Sequence, residues 1–251
     1  MAQTLSHTEN SPVVSPPLGI WLWAALSAAL IGGALYVITV MAQPDVQLGI
    51  VQKIFYFHVG SAFAMLLLLS AGSVLSLLDL LSPGDRIDAL ARACIEVGVI
   101  FALLVLTSGP LWARKSWGAY WTWEPRLTLT LLVTLVSIAV MAIRDMAGDG
   151  ARRMGAAMAV LAGPTSYLIH IAVQKWGGTH PSVLQGGGIQ SPQMRLAFWL
   201  SVAALLTFAG LLVRLRMQGI RLEQTLAALK LDISAREIRR ARRLADGVTQ
   251  P

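Results

Sequence analysis

The chain has 251 residues, of which 55% are hydrophobic and only 13% charged, with a mean hydropathy of +0.64. Water-soluble domains carry about 25% charged residues, so the composition points to an all-α polytopic membrane protein and excludes disordered and collagen-like chains. The single cysteine, Cys94, excludes an internal disulfide, a CxxC pair, a cysteine-based zinc or iron–sulfur site and covalent CxxCH attachment of haem, while the net charge of +7 reads first as a topology signal.

Residues 1–17 are polar, rich in Ser and Pro and free of Lys and Arg, which predicts a disordered tail rather than a signal peptide. The uncharged run 18–41 is long enough to cross a bilayer. Five more apolar segments follow at roughly 54–81, 93–112, 127–143, 154–173 and 194–213, with Pro164 expected to kink the fifth. The organisation is then a tail over 1–17, a six-helix membrane domain over 18–215 and a basic tail over 216–251. In that tail, Leu222, Leu226, Leu229 and Ile233 form a short heptad-like stripe, followed by Arg236, Arg239, Arg240, Arg242 and Arg243. The reading is a cytoplasmic helix lying on anionic lipid, with a docking helix as the weaker alternative. Nucleic acid is not an expected partner, because no folded module surrounds these charges.

Six spans put both termini on one side, and that side carries 14 Lys and Arg residues against 6 on the other. The positive-inside rule therefore predicts N-in/C-in topology. The outward-facing stretches are 42–53, 113–126 and 174–193. His58, His170 and His180 fall in or beside them, as does the segment from Trp117 to Glu124. Asp79 and Glu96 lie near the inner ends of their spans. No ionisable residue sits near the midplane, where a charge costs about 3 kcal/mol or more and where ion-coupled transporters need one.

Four tryptophans lie between Trp112 and Trp123. An aromatic belt at the headgroups is the simple explanation, but belts are spread among helix ends. Trp117, Trp121 and Trp123 instead crowd one loop with Gly118, forming an apolar platform suited to stacking a large planar ligand. A lone interfacial histidine is usually structural, and no zinc-type spacing exists among these. Iron in a porphyrin asks only for two axial ligands, which His58 and His180 fit by depth, whereas His170 is open to several roles. Arg126 is the first choice to fork onto a haem propionate, ahead of Arg114 and Lys115, with Lys53 and Lys175 read as snorkelling anchors. Cys94 reads as a small buried residue.

The run Trp117-Gly118-x-x-Trp121-x-Trp123-Glu124, followed by Pro-Arg-Leu-Thr, resembles the WGxxWxWD signature of the tryptophan-rich-motif haem-handling proteins of cytochrome c biogenesis. With six spans, Tyr-Phe-His58 opening the second and Trp-Gly-Gly-Thr-His180 in the last outer loop, the chain over roughly 18–215 is similar to the cytochrome c maturation protein C, or haem exporter protein C, family. The resemblance implies haem b held non-covalently at the periplasmic face of the bacterial inner membrane. His58 and His180 would be its axial ligands, and Trp117, Gly118, Trp121, Trp123 and Glu124 its contacting loop. It implies delivery of haem to a periplasmic haem chaperone, maturation protein E. It also implies work beside an ABC transporter pair, maturation proteins A and B, and a small membrane component, maturation protein D. Glu124 departs from the usual Asp, keeping the charge but adding a methylene.

Three functions compete. A haem-delivery protein that is not an enzyme fits best. A transmembrane electron-transfer cytochrome b needs histidine pairs at two depths, whereas the three membrane histidines share one. A haem permease lacks a visible midplane polar path, and the chain has no GxxxxGK[ST] motif to bind nucleotide itself.

Overall fold

The computed structural model describes residues 17–146, 150–180, 189 and 191–248, with side-chain surroundings up to residue 239. The tail expected over 1–17 lies, apart from Pro17, outside the described residues. The described chain is helical: α1 (Leu18–Tyr36), running into a π-helical turn over Val37–Met41, α2 (Gln52–Leu81), α3 (Asp85–Trp117), α4 (Pro125–Asp145), α5 (Ala151–Val160), α6 (Ala162–Trp176) and α7 (Pro192–Val248). With α5 and α6 taken together, six helical segments are long and apolar enough to cross a membrane, as the composition predicts.

The differences from the expected boundaries have physical causes. α3 begins at Asp85, so most of the 82–92 loop is helical. Asp85 and Asp88 sit in its first turn, where carboxylates favour the helix dipole, and arginines from other elements neutralise them. The fifth span does not merely kink. It breaks at Leu161 into α5 and α6, with Pro164 in the first turn of α6. Proline has no N–H to donate to the carbonyl of Val160 four residues earlier, and its ring crowds that carbonyl. The hydroxyl of Ser73 on α2 donates to Val160 O instead, at 2.7 Å, so the freed acceptor is satisfied inside an apolar bundle.

α2 and α3 form the central hairpin, α7 packs across α1, α2 and α3, and α4 packs on the broken α5–α6 pair. The main core runs along the hairpin through Met65, Leu69, Cys94 and Phe101, and Cys94 is buried there as expected. A second core, of Ile38, Phe55, Tyr56 and Phe198, closes the end of the bundle where α2 begins. At the other end, charges are arranged in pairs: Arg144 on Asp88, Arg152 on Asp79 at 2.6 Å and on Asp85 at 3.0 Å, and Arg216 on Glu96. These contacts bind α2, α3, α4, α5 and α7 to one another. α7 crosses the expected boundary between residues 215 and 216 without interruption.

Candidate functional site

Helix geometry gathers the outer residues first. α2 begins at Gln52, so His58 lies in its second turn. α3 ends at Trp117, the next residue Gly118, at φ +79°, turns the chain into the tryptophan loop, and α4 starts with Pro125 at its first position, where a missing N–H costs nothing. α6 ends at Trp176, and Gly177 and Gly178 at φ +74° and +150° carry the chain to His180. These ends enclose a cavity of about 310 Å3 whose polar lining includes His58, Arg126, His170 and His180, with Trp112, Trp117, Tyr120 and Trp121 among its aromatic walls.

The two histidines on different hairpins meet. Their ring centroids are 6.5 Å apart with planes inclined by 34°. Two imidazoles on opposite faces of one metal ion have centroids about 6 Å apart, from bonds of about 2.0 Å and roughly 1.1 Å from nitrogen to ring centre. The observed spacing matches that requirement. The Trp117 ring lies 6.0 Å from His180, edge to face, and 5.7 Å from Trp112.

Each histidine has a partner that fixes its ring. His58 Nδ1 is 3.0 Å from Ser108 Oγ, while the Ser108 hydroxyl donates to Leu104 O at 2.6 Å. A hydroxyl has one proton, and it is committed to Leu104. His58 Nδ1–H therefore donates to Ser108, and Nε2 carries the lone pair that a metal would use. A Cβ on residue 109 would come within 2.9 Å of His58 Cε1, so Gly109 is what lets the ring lie against α3. His180 Nδ1 is 3.2 Å from Arg126 Nη1. A guanidinium has only donors, so here Nδ1 accepts. Arg126 Nη2 also donates to the backbone carbonyl of His170 at 3.1 Å. Among the described residues Arg126 makes no ion pair, and its Nε is buried without a partner.

Glu124 holds the loop that carries His180. Its Oε2 accepts the N–H of Thr179 at 2.7 Å and the Thr179 hydroxyl at 3.1 Å. A Cβ on residue 178 would sit 2.7 Å from the same oxygen, so glycine is required there on grounds of space as well as φ. Among the described residues, Glu124 Oε1, Trp121 Nε1 and Thr122 Oγ1 are buried without partners. Buried polar groups are normally satisfied; these three and Arg126 Nε fall within one stretch, 121–126, while Ser27, Tyr56, Ser76, Arg92 and Arg144 also keep unmet buried atoms.

The candidate residues thus divide. His58, His180, Trp117, Trp121 and Arg126 line the cavity. Trp123 does not: it is 77% exposed and packs edge-on against Trp121 at 5.7 Å, so the loop's indoles form no single flat face. Glu124 acts on the His180 loop, and Gly118 makes a turn with its carbonyl accepting from Arg114. Of the basic residues considered, only Arg126 reaches the cavity. Arg114 lies over the Tyr120 ring, and Lys53 bonds the carbonyl of Thr39 at 2.8 Å. His170 contributes its carbonyl to Arg126 and an exposed side chain to the rim. The run quoted around His180 contains Gly178 and Thr179 without giving them a role, and sequence reasoning missed Ser108 and Gly109. The one available signal was the small polar run Thr107-Ser108-Gly109-Pro110 interrupting an apolar span.

The residues fit a haem: two imidazoles at axial spacing, aromatic walls, and an arginine that no carboxylate of the described residues pairs with. The family model described as heme exporter protein C matches residues 1–232. The chain is 31% identical over 207 residues to heme exporter protein C of Bradyrhizobium diazoefficiens, covering 81% of this chain and 77% of that protein. It is 28% identical to the protein of the same name from Paracoccus denitrificans (76% and 78% covered) and 26% identical to that of Escherichia coli K12 (71% and 74%). With a family model covering the whole membrane domain and relatives matched along most of their length, the chain belongs to the heme exporter protein C family.

Proposed function

We propose that this chain binds haem b at the periplasmic face of the bacterial inner membrane, between His58 and His180, and presents it to a periplasmic haem chaperone for cytochrome c maturation. It acts as a carrier, not an enzyme, beside an ATP-binding cassette pair and a further small membrane protein. The observation that carries the binding site is the 6.5 Å separation of two imidazoles from separate hairpins across an aromatic cavity. Haem iron, when bound, supplies two axial positions.

The chain's residues have distinct tasks. His58 is ready, with Ser108 keeping its proton on Nδ1. His180 is not, because Arg126 donates to its Nδ1 and so favours the tautomer with the proton on Nε2. Arg126 must leave that nitrogen before Nε2 can bind iron. The propionates of the cargo offer the guanidinium a better acceptor than a neutral imidazole. Engaging the acidic edge of the cargo and arming the second ligand are then one event. Glu124 keeps the His180 loop in place meanwhile. Release runs in reverse when the chaperone takes either the iron or the acidic edge. Exposed Trp123 is available at the rim for that partner.

The test is absorption spectroscopy of the purified protein with and without the chaperone. His58→Ala and His180→Ala should each lower bound haem roughly tenfold or more, ligands mattering at least as much as their supporting partners. An unchanged Soret band in both variants would overturn the axial assignment.

A further inference from the structure

The haem site uses none of α7 beyond the bundle. Among the residues with described surroundings Ile220 is the last buried one of that helix, and Arg216 fastens it there by pairing with Glu96 of α3, while also reaching Glu223 of α7 itself. The helix then continues from Arg221 to Val248, roughly 40 Å at 1.5 Å per residue, with no break between the membrane span and this extension. A segment continuous with a spanning helix points away from the bilayer instead of lying along it. Four apolar side chains follow one another on its face: Leu222, Leu226, Leu229 and Ile233, exposed by 60%, 48%, 54% and 47%. Their 4-3-4 spacing is that of a coiled-coil seam. Continuing the same register by 3, 4 and 3 residues gives Arg236, which pairs with Asp232 of its own helix at 2.8 Å, then Arg240 and Arg243.

That order decides what can cover the seam. Two copies of the chain inserted in one membrane share an orientation. Their extensions would pair parallel and in register, setting each seam arginine against its own copy, and like charges at close quarters cost rather than stabilise. A partner helix with apolar residues against the first two heptads and Asp or Glu against the arginines meets no such penalty. The family match ends at residue 232, so the arginine half of the seam lies beyond the part this chain shares with the family model.

We infer that α7 beyond Ile220 is a docking helix for a cytoplasmic partner protein, which contributes an amphipathic helix that is apolar near the membrane and acidic farther from it. Its location in the cytoplasm follows from the Lys and Arg asymmetry between the two faces. The proposal is independent of the haem site.

The experiment places a photo-crosslinking amino acid at position 226, and separately at 229, in the full-length chain in native membranes, and reads the crosslinked peptide by mass spectrometry. The expected product is one segment of another protein, with apolar residues at 4-3 spacing followed by a run of Asp or Glu. Reversing Arg236, Arg240 and Arg243 to Glu together should cut its yield roughly tenfold. These arginines lie past the bundle, so the thermal unfolding midpoint of the triple variant in detergent should match the parent, which serves as the folding control. Adducts confined to lipid would identify a membrane-lying helix, and adducts to a second copy a homomeric coil. Either result would overturn the inference, as would a partner segment lacking acidic residues, a yield indifferent to charge reversal, or no adduct at all.

Discussion

The two ends of the bundle use charge differently. At the end bearing Asp79, Asp88 and Glu96, each of these carboxylates has an arginine within ion-pair distance, and the Asp88–Arg144 pair is 5% exposed on both side chains. At the other end, among the described residues, Arg126 is in no ion pair, and Glu124, Trp121 and Thr122 each keep one buried polar atom unmet. The arginines of the first end keep unmet nitrogens too, at Arg92 Nε and at Arg144 Nε and Nη2, so what separates the two ends is ion pairing and not complete satisfaction.

This contrast is open to attack from both ends. The largest effect belongs to the ion-paired end: Asp88→Ala strands Arg144 and weakens Arg152, and breaking a buried pair costs about 3–5 kcal/mol. Thermal unfolding in detergent should shift down sharply, while protein that remains folded keeps its haem spectrum. If that spectrum changes instead, the two ends are not separable. Next is Ser108→Ala, which removes the acceptor that fixes the His58 tautomer. Loss of such a supporting partner lowers metal affinity by roughly 10–100-fold, readable by haem titration with stability little altered. Glu124→Ala should weaken haem binding by a smaller factor, since Thr179 loses both its bonds, and Glu124→Gln, which keeps an acceptor oxygen, should recover most of it. Equal loss in both variants would show that charge, and not the grip on Thr179, is what matters. The smallest effect is expected of Trp123→Ala: haem affinity nearly unchanged, with any defect confined to transfer to the chaperone.

Much of the frame is legible in the sequence because bilayer thickness and backbone hydrogen bonding permit few alternatives to apolar helices of about 20 residues. Counting spans assigns His58 and His180 to one face, and the folded chain brings their rings together. What spacing does not supply is the tertiary partner. Ser108 stands out by the polar run around it, but its hydroxyl bonds its own helix as those of Ser137 and Ser201 do, and nothing local shows that it also meets His58. The motif suggests that its tryptophans act together. Only the positions of α3 and α4 separate Trp117, which faces the cavity, from Trp123, which faces out. Glu124 lies in the motif too, but its role depends on a loop 55 residues away. The extension of α3 to Asp85 is hidden because its carboxylates look like loop residues until Arg144 and Arg152 are known to cover them.

The break at Leu161 has a mechanical meaning. The segment divided at Pro164 forms two short rods joined beside the hydroxyl of Ser73, both packed against α2 and α4, and α6 ends at the loop bearing His180. Each rod is seated by contacts of its own, α5 through Arg152 on Asp79 and α6 through the His170 carbonyl that accepts from Arg126, so the element that carries the His180 loop is anchored separately from the ion pairs at the other end.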